Sequence, residues 1–417
     1  MAPFDSLRSV LAFRRFERDG DLRRLQSVAN VDDLRRLAKR RLPAGVFDYI
    51  DGGAEDERTL ADNAAGYQRF GFNPRVLRDV SDVDTGVELL GRPTPLPLVL
   101  APTGFTRIAD PQGELAVARA CARAGIPYTL STMGTRSIEE MAAASDGVTW
   151  GGEGDRRLWF QVYVWRDRAL VRDMVERAAA ARYEALVLTV DTAYLGRRER
   201  DVRRGMELPP KLGPGTIVDG IRHPSWTVNF LRNEPIVFAN VATSSVAAGA
   251  PDGTSAVNLA EQISSQFDPG LNWSEIEWLR SIWDGKIVVK GIQTVADADL
   301  CVEHGVDAVC LSNHGGRQLD GAPAPIDLVE PCRDAVGDAI EIICDGGARR
   351  GSDLVKARAL GADAVMAGRP YLYALGAAGE AGVDWLIAFL ASGMARTLAL
   401  CGETSAVDLP KELLSRV

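Results

Sequence analysis

A chain of 417 residues, 46% hydrophobic and 25% charged, has a globular composition and is long enough to bury a large core without staples. Its net charge of −9 gives no reason to expect a nucleic-acid partner. The six cysteines form no C-x-x-C pair and no metal-ligand spacing, so they read as reduced core residues of a cytoplasmic protein, with no metal site.

Residues 1–30 are charged and amphipathic, with Arg14-Arg15 and Arg23-Arg24, and carry no apolar run of signal-peptide type. Asn30 reads as a helix start before Leu34 and Leu37, and Pro43 and Gly45 punctuate that helix. A second helix runs through Phe47, Tyr49 and Ile50 to Gly52-Gly53, and Glu55 to Tyr67 is again helical by period. Residues 71–93 suggest extended segments and turns. From Pro97 short apolar runs alternate with alanine-rich helical ones. The runs are Leu98–Ala101, Pro127–Ser131, Leu158–Val164, Ala185–Val190, Lys286–Lys290, Ala308–Ser312, Glu341–Asp345 and Ala364–Ala367. Helical patterns between them include 113–124, 169–182, 296–303 and 352–360. Eight units of this period predict an α/β fold, a closed (β/α)8 TIM barrel rather than an open doubly wound sheet. Residues 1–96 would form an N-terminal helical arm and a segment under the barrel, and 97–417 the barrel. A long insertion follows the fourth strand, at about 196–283, on the face where barrels place their active sites. Within it Trp226–Val241 is apolar and basic enough to touch a membrane surface or a partner; the other reading is a lid packed on its own protein. No stretch reaches the roughly 18 uninterrupted apolar residues of a spanning helix.

The strand ends collect reactive groups. In order they are Pro102–Gly104, Ser131, Gln161 with Tyr163, Thr189 with Asp191, Lys290, Ser312 with His314 and Arg317, Asp345–Gly347 with Arg349, and Gly368-Arg369. Charged groups rarely stand beside a core without partners, so this convergence marks a site. After the seventh and eighth strands barrels often hold a phosphate, and Gly346-Gly347 with Arg369 suits one. The plainer reading there is glycine turns and a surface arginine. No Walker A loop and no G-x-G-x-x-G after a strand occurs, which leaves a phosphorylated substrate or a flavin mononucleotide. His223 and His304 carry no motif and read as structural. Most arginines of the run Arg197, Arg198, Arg200, Arg203 and Arg204 should be solvated.

The strings FDYIDGGAEDE, LAPTGF, TLST, WFQVYVWRDR, LTVDT, LGRRERD, VVKGI, SNHGGRQLDG, DGGARRG and GRPYLY occur in this order at barrel spacing. From about Asp33 onward the chain therefore resembles the FMN-dependent 2-hydroxy-acid oxidases and dehydrogenases: glycolate oxidase, flavin-type L-lactate dehydrogenase, lactate monooxygenase and mandelate dehydrogenase. The resemblance implies FMN as cofactor and a small 2-hydroxy acid as substrate. It implies His314 as base, with Asp191 holding its imidazole, Arg317 and Arg198 on the substrate carboxylate, Tyr49 donating to it, and Tyr163 near the hydroxyl. Lys290 would face the flavin N1–O2 edge; Gln161, Thr189 and Ser131 would bind the ring edges; Pro102, Thr103 and Gly104 would lie against the ring, with Ser312 close by. Asp345, Gly347, Arg349, Gly368 and Arg369 would hold the ribityl chain and phosphate. Alternatives remain at single residues: a strand-end cap for Asp191, a core phenol for Tyr163, local packing for Tyr49.

Gly104 resembles the dehydrogenase and monooxygenase members, Met133 stands where glycolate oxidases carry a tryptophan and leaves room for a larger side chain, and the LGRRERDVRRGMELPP segment with HPSW and the long insertion looks most like the bacterial L-lactate dehydrogenases. An L-2-hydroxy-acid dehydrogenase acting on lactate or a bulkier acid such as mandelate is therefore expected, with a quinone or oxygen as electron acceptor. An oxygen-using oxidase or monooxygenase is the neighbouring reading. The resemblance further implies a homo-oligomer, a tetramer, and in some dehydrogenases peripheral contact with the inner face of the membrane. Two readings from other classes are a Schiff-base aldolase-type barrel using Lys290, and a non-catalytic barrel that only binds.

Overall fold

A computed structural model describes residues 17–146, 150, 156–206, 213–242 and 266–417. Most of the N-terminal arm, and the insertion's Leu208–Lys211 and Ser244–Ser255 stretches, lie outside them. Four helices come first: α1 (Gly20–Leu25), α2 (Val31–Arg41), α3 (Ala44–Asp51) and α4 (Arg58–Gly66). The Asn30 side chain accepts from Asp33 N at 2.9 Å and so starts α2. Then follow β1 (Phe70–Phe72) and a hairpin of β2 (Val87–Leu89) and β3 (Arg92–Thr94). Strand β1 pairs antiparallel with the last strand, β12 (Leu414–Arg416).

Eight parallel strands close into a barrel: β4 (Leu98–Leu100), β5 (Tyr128–Ser131), β6 (Leu158–Val162), β7 (Ala185–Thr189), β8 (Lys286–Ile292), β9 (Ala308–Ser312), β10 (Glu341–Asp345) and β11 (Ala364–Ala367). Closure runs through β11 against β4, with Val365 beside Leu98. The fold is therefore the TIM barrel that the alternating runs imply. The strands read as continuous apolar runs because helices cover their outer face and packed side chains fill the inside. The covering helices are α5 (Glu114–Ala124), α6 (Ile138–Ser145), α7 (Arg168–Ala180), α8 (Glu199–Arg204), α9 (Pro214–Arg222), α10 (Pro224–Arg232), α11 (Ala239–Ala242), α12 (Ser274–Arg280), α13 (Val295–Glu303), α14 (Pro325–Val336), α15 (Gly351–Ala359) and α16 (Arg369–Cys401). Of these, α8 to α12 belong to the insertion between β7 and β8.

The β2–β3 hairpin plugs the N-terminal end of the barrel. Leu89 and Leu90 join the interior cluster with Val99, Trp159, Val187, Val288 and Ile343. Arg157 donates to Leu89 O and Pro93 O at 3.0 Å each, and its charge is met by Glu184 at 2.8 Å. Glu341 accepts from Leu90 N at 2.8 Å. At the other end α16 is long and apolar enough to cross a membrane by length and composition. It is divided at Ala378 and Gly379, and it packs against α1, α2, α5 and α15. About a third of its most apolar stretch is buried by this packing. All six cysteines are free and buried.

Candidate active site

The C-terminal ends of the strands surround one cleft of about 1460 Å³ that opens to solvent. Its wall contains Tyr49, Pro102, Thr103, Gly104, Ser131, Gln161, Tyr163, Thr189, Arg198, Lys290, His314, Arg317, Asp345, Gly347, Arg349, Gly368 and Arg369. Asp191 and Ser312 stand behind this wall and act through its members. The sequence reading did not single out Phe105, Leu195, Phe267 and Gln318, which also line it. Those are loop residues whose chemistry is generic, and only chain folding brings them in.

His314 has φ +58°, a left-handed backbone, and two glycines at +66° and +72° follow it. The turn swings the imidazole back over the end of β7, where Nδ1 lies 2.9 Å from Asp191 Oδ1. The bonded pair leaves Nε2 as the ring's other polar atom. Burial alone would raise the Asp191 carboxyl, but His314 and Lys290 outweigh it and hold it below the usual range. The turn is fastened from below: Asn313 and Asn63 of α4 exchange amide hydrogen bonds at 2.8 and 2.7 Å, both side chains buried. Neither asparagine stands out in the sequence, because their pairing spans 250 residues.

Lys290 is 4% exposed. Its Nζ lies 2.9 Å from Asp345 Oδ2 and donates to Ser312 Oγ at 3.0 Å. Ser312 Oγ donates to Asp345 at 2.7 Å and accepts from His314 N at 3.1 Å. Burial alone would depress the ammonium, but Asp345 and then Asp191 more than offset it and raise its pKa. A Schiff-base lysine needs a depressed pKa and a neutral amine, so this environment opposes the aldolase reading.

Two cations approach the ring of Tyr49. The Arg317 and Arg198 guanidinium carbons lie 5.1 and 5.4 Å from its ring centroid. Arg317 donates to Tyr49 O at 2.7 Å and Gly52 O at 3.1 Å, two carbonyls at the end of α3. Burial, and next the Arg198 charge, push Arg317 down to about 9. An anion between these arginines would relieve that strain. Tyr163 faces them, its phenol raised by burial and then by Asp191.

Arg369 donates to Ile50 O, Gly315 O and Gly52 O at 3.2, 2.7 and 2.7 Å. Arg349 donates to Ala348 O at 2.8 Å. Gly347 has φ +87°, and a Cβ there would come 1.9 Å from Asn63 O. Across the cleft Gln161 accepts from Ser131 Oγ at 3.1 Å, while Gln161 Nε2 and Thr189 Oγ1 are buried with no partner. Unpaired buried polar atoms are costly, so a polar ligand is what this wall fits. A ligand with polar ring edges and a phosphate, such as FMN, would meet both needs, with Gln161 and Thr189 available to the edges and Arg349 and Arg369 to the phosphate. Among the described residues no group of His, Cys, Asp and Glu could hold a metal ion.

Most of the arginine run is solvated as expected: Arg197, Arg203 and Arg204 are exposed, the last two in surface ion pairs with Glu199 and Asp48. Arg200 is the exception, half-buried and paired with Asp51 at 2.9 Å and with Glu57. His223 Nδ1 lies 2.8 Å from Asp219 O and His304 stacks on Trp273, both away from the cleft.

The family described as FMN-dependent dehydrogenase matches residues 38–416. The "Putative L-lactate dehydrogenase" of Mycobacterium tuberculosis (strain ATCC 25618 / H37Rv) is 45% identical over 403 residues, 97% of this chain and 93% of that protein. The (S)-mandelate dehydrogenase of Pseudomonas putida is 41% identical over 390 residues, 93% and 94% of the two. A crystal structure described as the monotopic membrane protein (S)-mandelate dehydrogenase superposes with a TM-score of 0.87 at 39% identity, covering 94% of this chain and 100% of that one.

Proposed function

Because the chain belongs to the FMN-dependent dehydrogenase family, whose members here include 2-hydroxy-acid dehydrogenases and oxidases, we propose that it oxidises an L-2-hydroxy acid, lactate or a bulkier acid such as mandelate, to the 2-oxo acid. The observation that carries this reading is the meeting, in one cleft, of the His314–Asp191 pair and the Arg198–Tyr49–Arg317 cluster. When bound, FMN supplies the two-electron acceptor that no side chain provides.

The two guanidiniums clamp the substrate carboxylate and so fix which carbon faces the imidazole. Nδ1–H of His314 donates to the Asp191 carboxylate, and Nε2 takes the proton that leaves the substrate. Asp191, 2.9 Å from Nδ1, stabilises the resulting imidazolium by its charge. Tyr163 orients the hydroxyl. Lys290, fixed by Asp345 and Ser312, places a permanent positive charge in the floor where electron density arrives. Met133, Phe105, Leu195 and Phe267 give the acid's side chain an apolar wall, which suits a larger group than methyl.

The electron acceptor is a quinone in the bilayer. Helices α9 and α10 expose Ile217, Ile221, Phe230 and Leu231, flanked by Arg222 and Arg232. Apolar side chains rimmed by arginines suit the surface of an anionic membrane, and a mandelate dehydrogenase of this fold is described as monotopic. The test is direct. The purified yellow protein, mixed without oxygen with L-lactate or L-mandelate, should lose its flavin colour, and the D-acids should leave it. His314→Gln should hold the colour in both cases. Reoxidation by a quinone analogue should outpace that by oxygen, and anionic vesicles should pull the protein down. A parent protein that keeps its colour with a panel of L-hydroxy acids would end this reading.

A further inference from the structure

The end of α3 is the point where the two ligand-facing arginines meet. Its last carbonyls, Tyr49 O, Ile50 O and Gly52 O, accept from Arg317 and Arg369. Those carbonyls have no partner inside the helix, and the helix dipole favours cations there. The position of this end therefore sets the position of both guanidiniums.

What fixes the end is Asp51, the last residue of α3 and only 3% exposed. Its carboxylate accepts from Arg35 Nε and Nη2 of α2 at 2.5 and 2.7 Å, from Tyr373 of α16 at 2.7 Å, and from Arg200 of α8 at 2.9 Å. Burial alone would raise this carboxyl, but Arg35, Tyr373 and Arg200 hold it down to about 2. Arg200 also reaches Glu57, which accepts from Gly53 N at 2.9 Å, and Arg204 on the same helix binds Asp48 of α3 at 2.9 Å. Arg198 is the residue that caps the start of α8. Asp51 and Arg200 thus tie the helix that starts at Arg198 to the helix that carries Tyr49 and seats Arg317.

We infer that the Asp51–Arg200 pair is a positioning device that sets the spacing of Arg198, Tyr49 and Arg317, and through it the enzyme's affinity for the substrate carboxylate. This rests on the reading of Arg198 and Arg317 as the carboxylate clamp. Neither Asp51 nor Arg200 lines the cleft, so neither touches substrate. A buried carboxylate with four donors could serve stability alone, and the two roles separate experimentally. A structural role moves the melting temperature; a positioning role moves anion affinity and KM more than kcat.

The experiment titrates the FMN-loaded enzyme with oxalate by calorimetry and measures KM and kcat for L-lactate in parallel. Asp51→Asn and Arg200→Met should each weaken oxalate roughly tenfold or more and raise KM by a like factor, with a smaller change in kcat. Arg200→Lys should recover part of the affinity, because it restores the charge but not the two-pronged contact. Arg198→Met tests the underlying reading and should weaken oxalate at least as much. If Arg198→Met weakens oxalate while Asp51→Asn and Arg200→Met bind within about twofold of the parent, the positioning role is overturned and the clamp stands. If Arg198→Met also binds like the parent, the clamp itself is wrong and the inference falls with it. Should Asp51→Asn fail to fold, Arg200→Met decides alone, since it leaves Arg35 and Tyr373 on the carboxylate.

Discussion

Replacing Lys290 by methionine removes a charge while keeping nearly the same volume. The partner left behind is Asp345, whose side chain is 9% exposed and whose Oδ2 lies 2.9 Å from the lost ammonium. Breaking a buried ion pair from one side costs about 3–5 kcal/mol, because the surviving charge stays desolvated. Ser312 still donates to Asp345 at 2.7 Å, which puts the expected loss near the lower bound, about 3 kcal/mol. The second arm converts Asp345 to asparagine as well. The amide oxygen keeps the Ser312 bond and no charge remains, so the double variant should be less destabilised than the sum of the singles by about 2 kcal/mol. Urea unfolding of the flavin-free protein, run on the four members of the cycle, reads both quantities. A single-variant loss under about 1 kcal/mol, or additivity within about 0.5 kcal/mol, would refute the picture of a buried, mutually dependent pair. In the holoenzyme the same Lys290→Met change should slow flavin reduction by the hydroxy acid, since the floor of the cleft then offers no cation.

Three further outcomes follow from the geometry. Glu341 under the barrel has its carboxyl raised to about 7 by burial and then by Asp363, against an ordinary value of 4.5; the folded chain thus binds the extra proton between those values, and the stability this gives is full below about 4.5 and lost as pH rises through 7. Glu341→Gln, which keeps an acceptor for Leu90 N, should therefore raise the melting temperature at pH 8 and change it little at pH 5; equal shifts at both would contradict this. Gly347→Ala should abolish FMN retention or folding, since its Cβ would meet Asn63 O at 1.9 Å, whereas Gly305→Ala, with open space around a φ of +63°, should cost only about 1 kcal/mol; flavin occupancy after gel filtration compares them. Asp191→Asn should cut kcat by about 10²-fold or more with a much smaller change in KM, because the amide neither fixes the His314 tautomer nor offsets its charge; steady-state rates decide, and a loss confined to KM would reject the assignment.

The barrel was legible because each of its strands is a short apolar run followed by a polar or glycine signal, buried by helices on the outer face and by packed side chains on the inner one. The β2–β3 plug was not, since Leu89 and Leu90 look like any two leucines until the chain closes beneath them. Helix α16 was seen only as a partial apolar stretch, because glycines and alanines hide both its length and its break at Gly379. In the cleft, residues that carry their own chemistry announced themselves: a lone histidine after a strand, a lysine at a strand end, arginines beside glycines. Residues that act by pairing did not. Arg200 sits in a basic run that reads as solvent-facing, and its role depends on Asp51, 149 positions away. Asn63 and Asn313 pair across 250 positions. Periodicity reports local environment; it carries no information about such distant partners.

One consequence of the charge layout concerns why the site needs its ligands. Arg198, Arg317, Arg349, Arg369 and Lys290 line a single cleft, and the carboxylates beside them are already engaged: Asp345 with Lys290, Asp191 with His314, and Asp201 with Arg198 at 3.3 Å. Arg317 and Arg369 donate to backbone carbonyl oxygens, and both have their pKa lowered, first by burial and then, for Arg317, by Arg198. Carbonyls orient a guanidinium without neutralising it. The cations form two groups, Arg198 with Arg317 around Tyr49, and Arg349 with Arg369 at the ends of β10 and β11. A ligand set with one carboxylate and one phosphate matches that division, and a neutral substrate does not. The same argument places the stabilising machinery at the opposite end of the barrel, where Arg157 has Glu184 and the hairpin plug closes the core: the plugged end holds the strands in register so that the open end can keep its cations poised for anions.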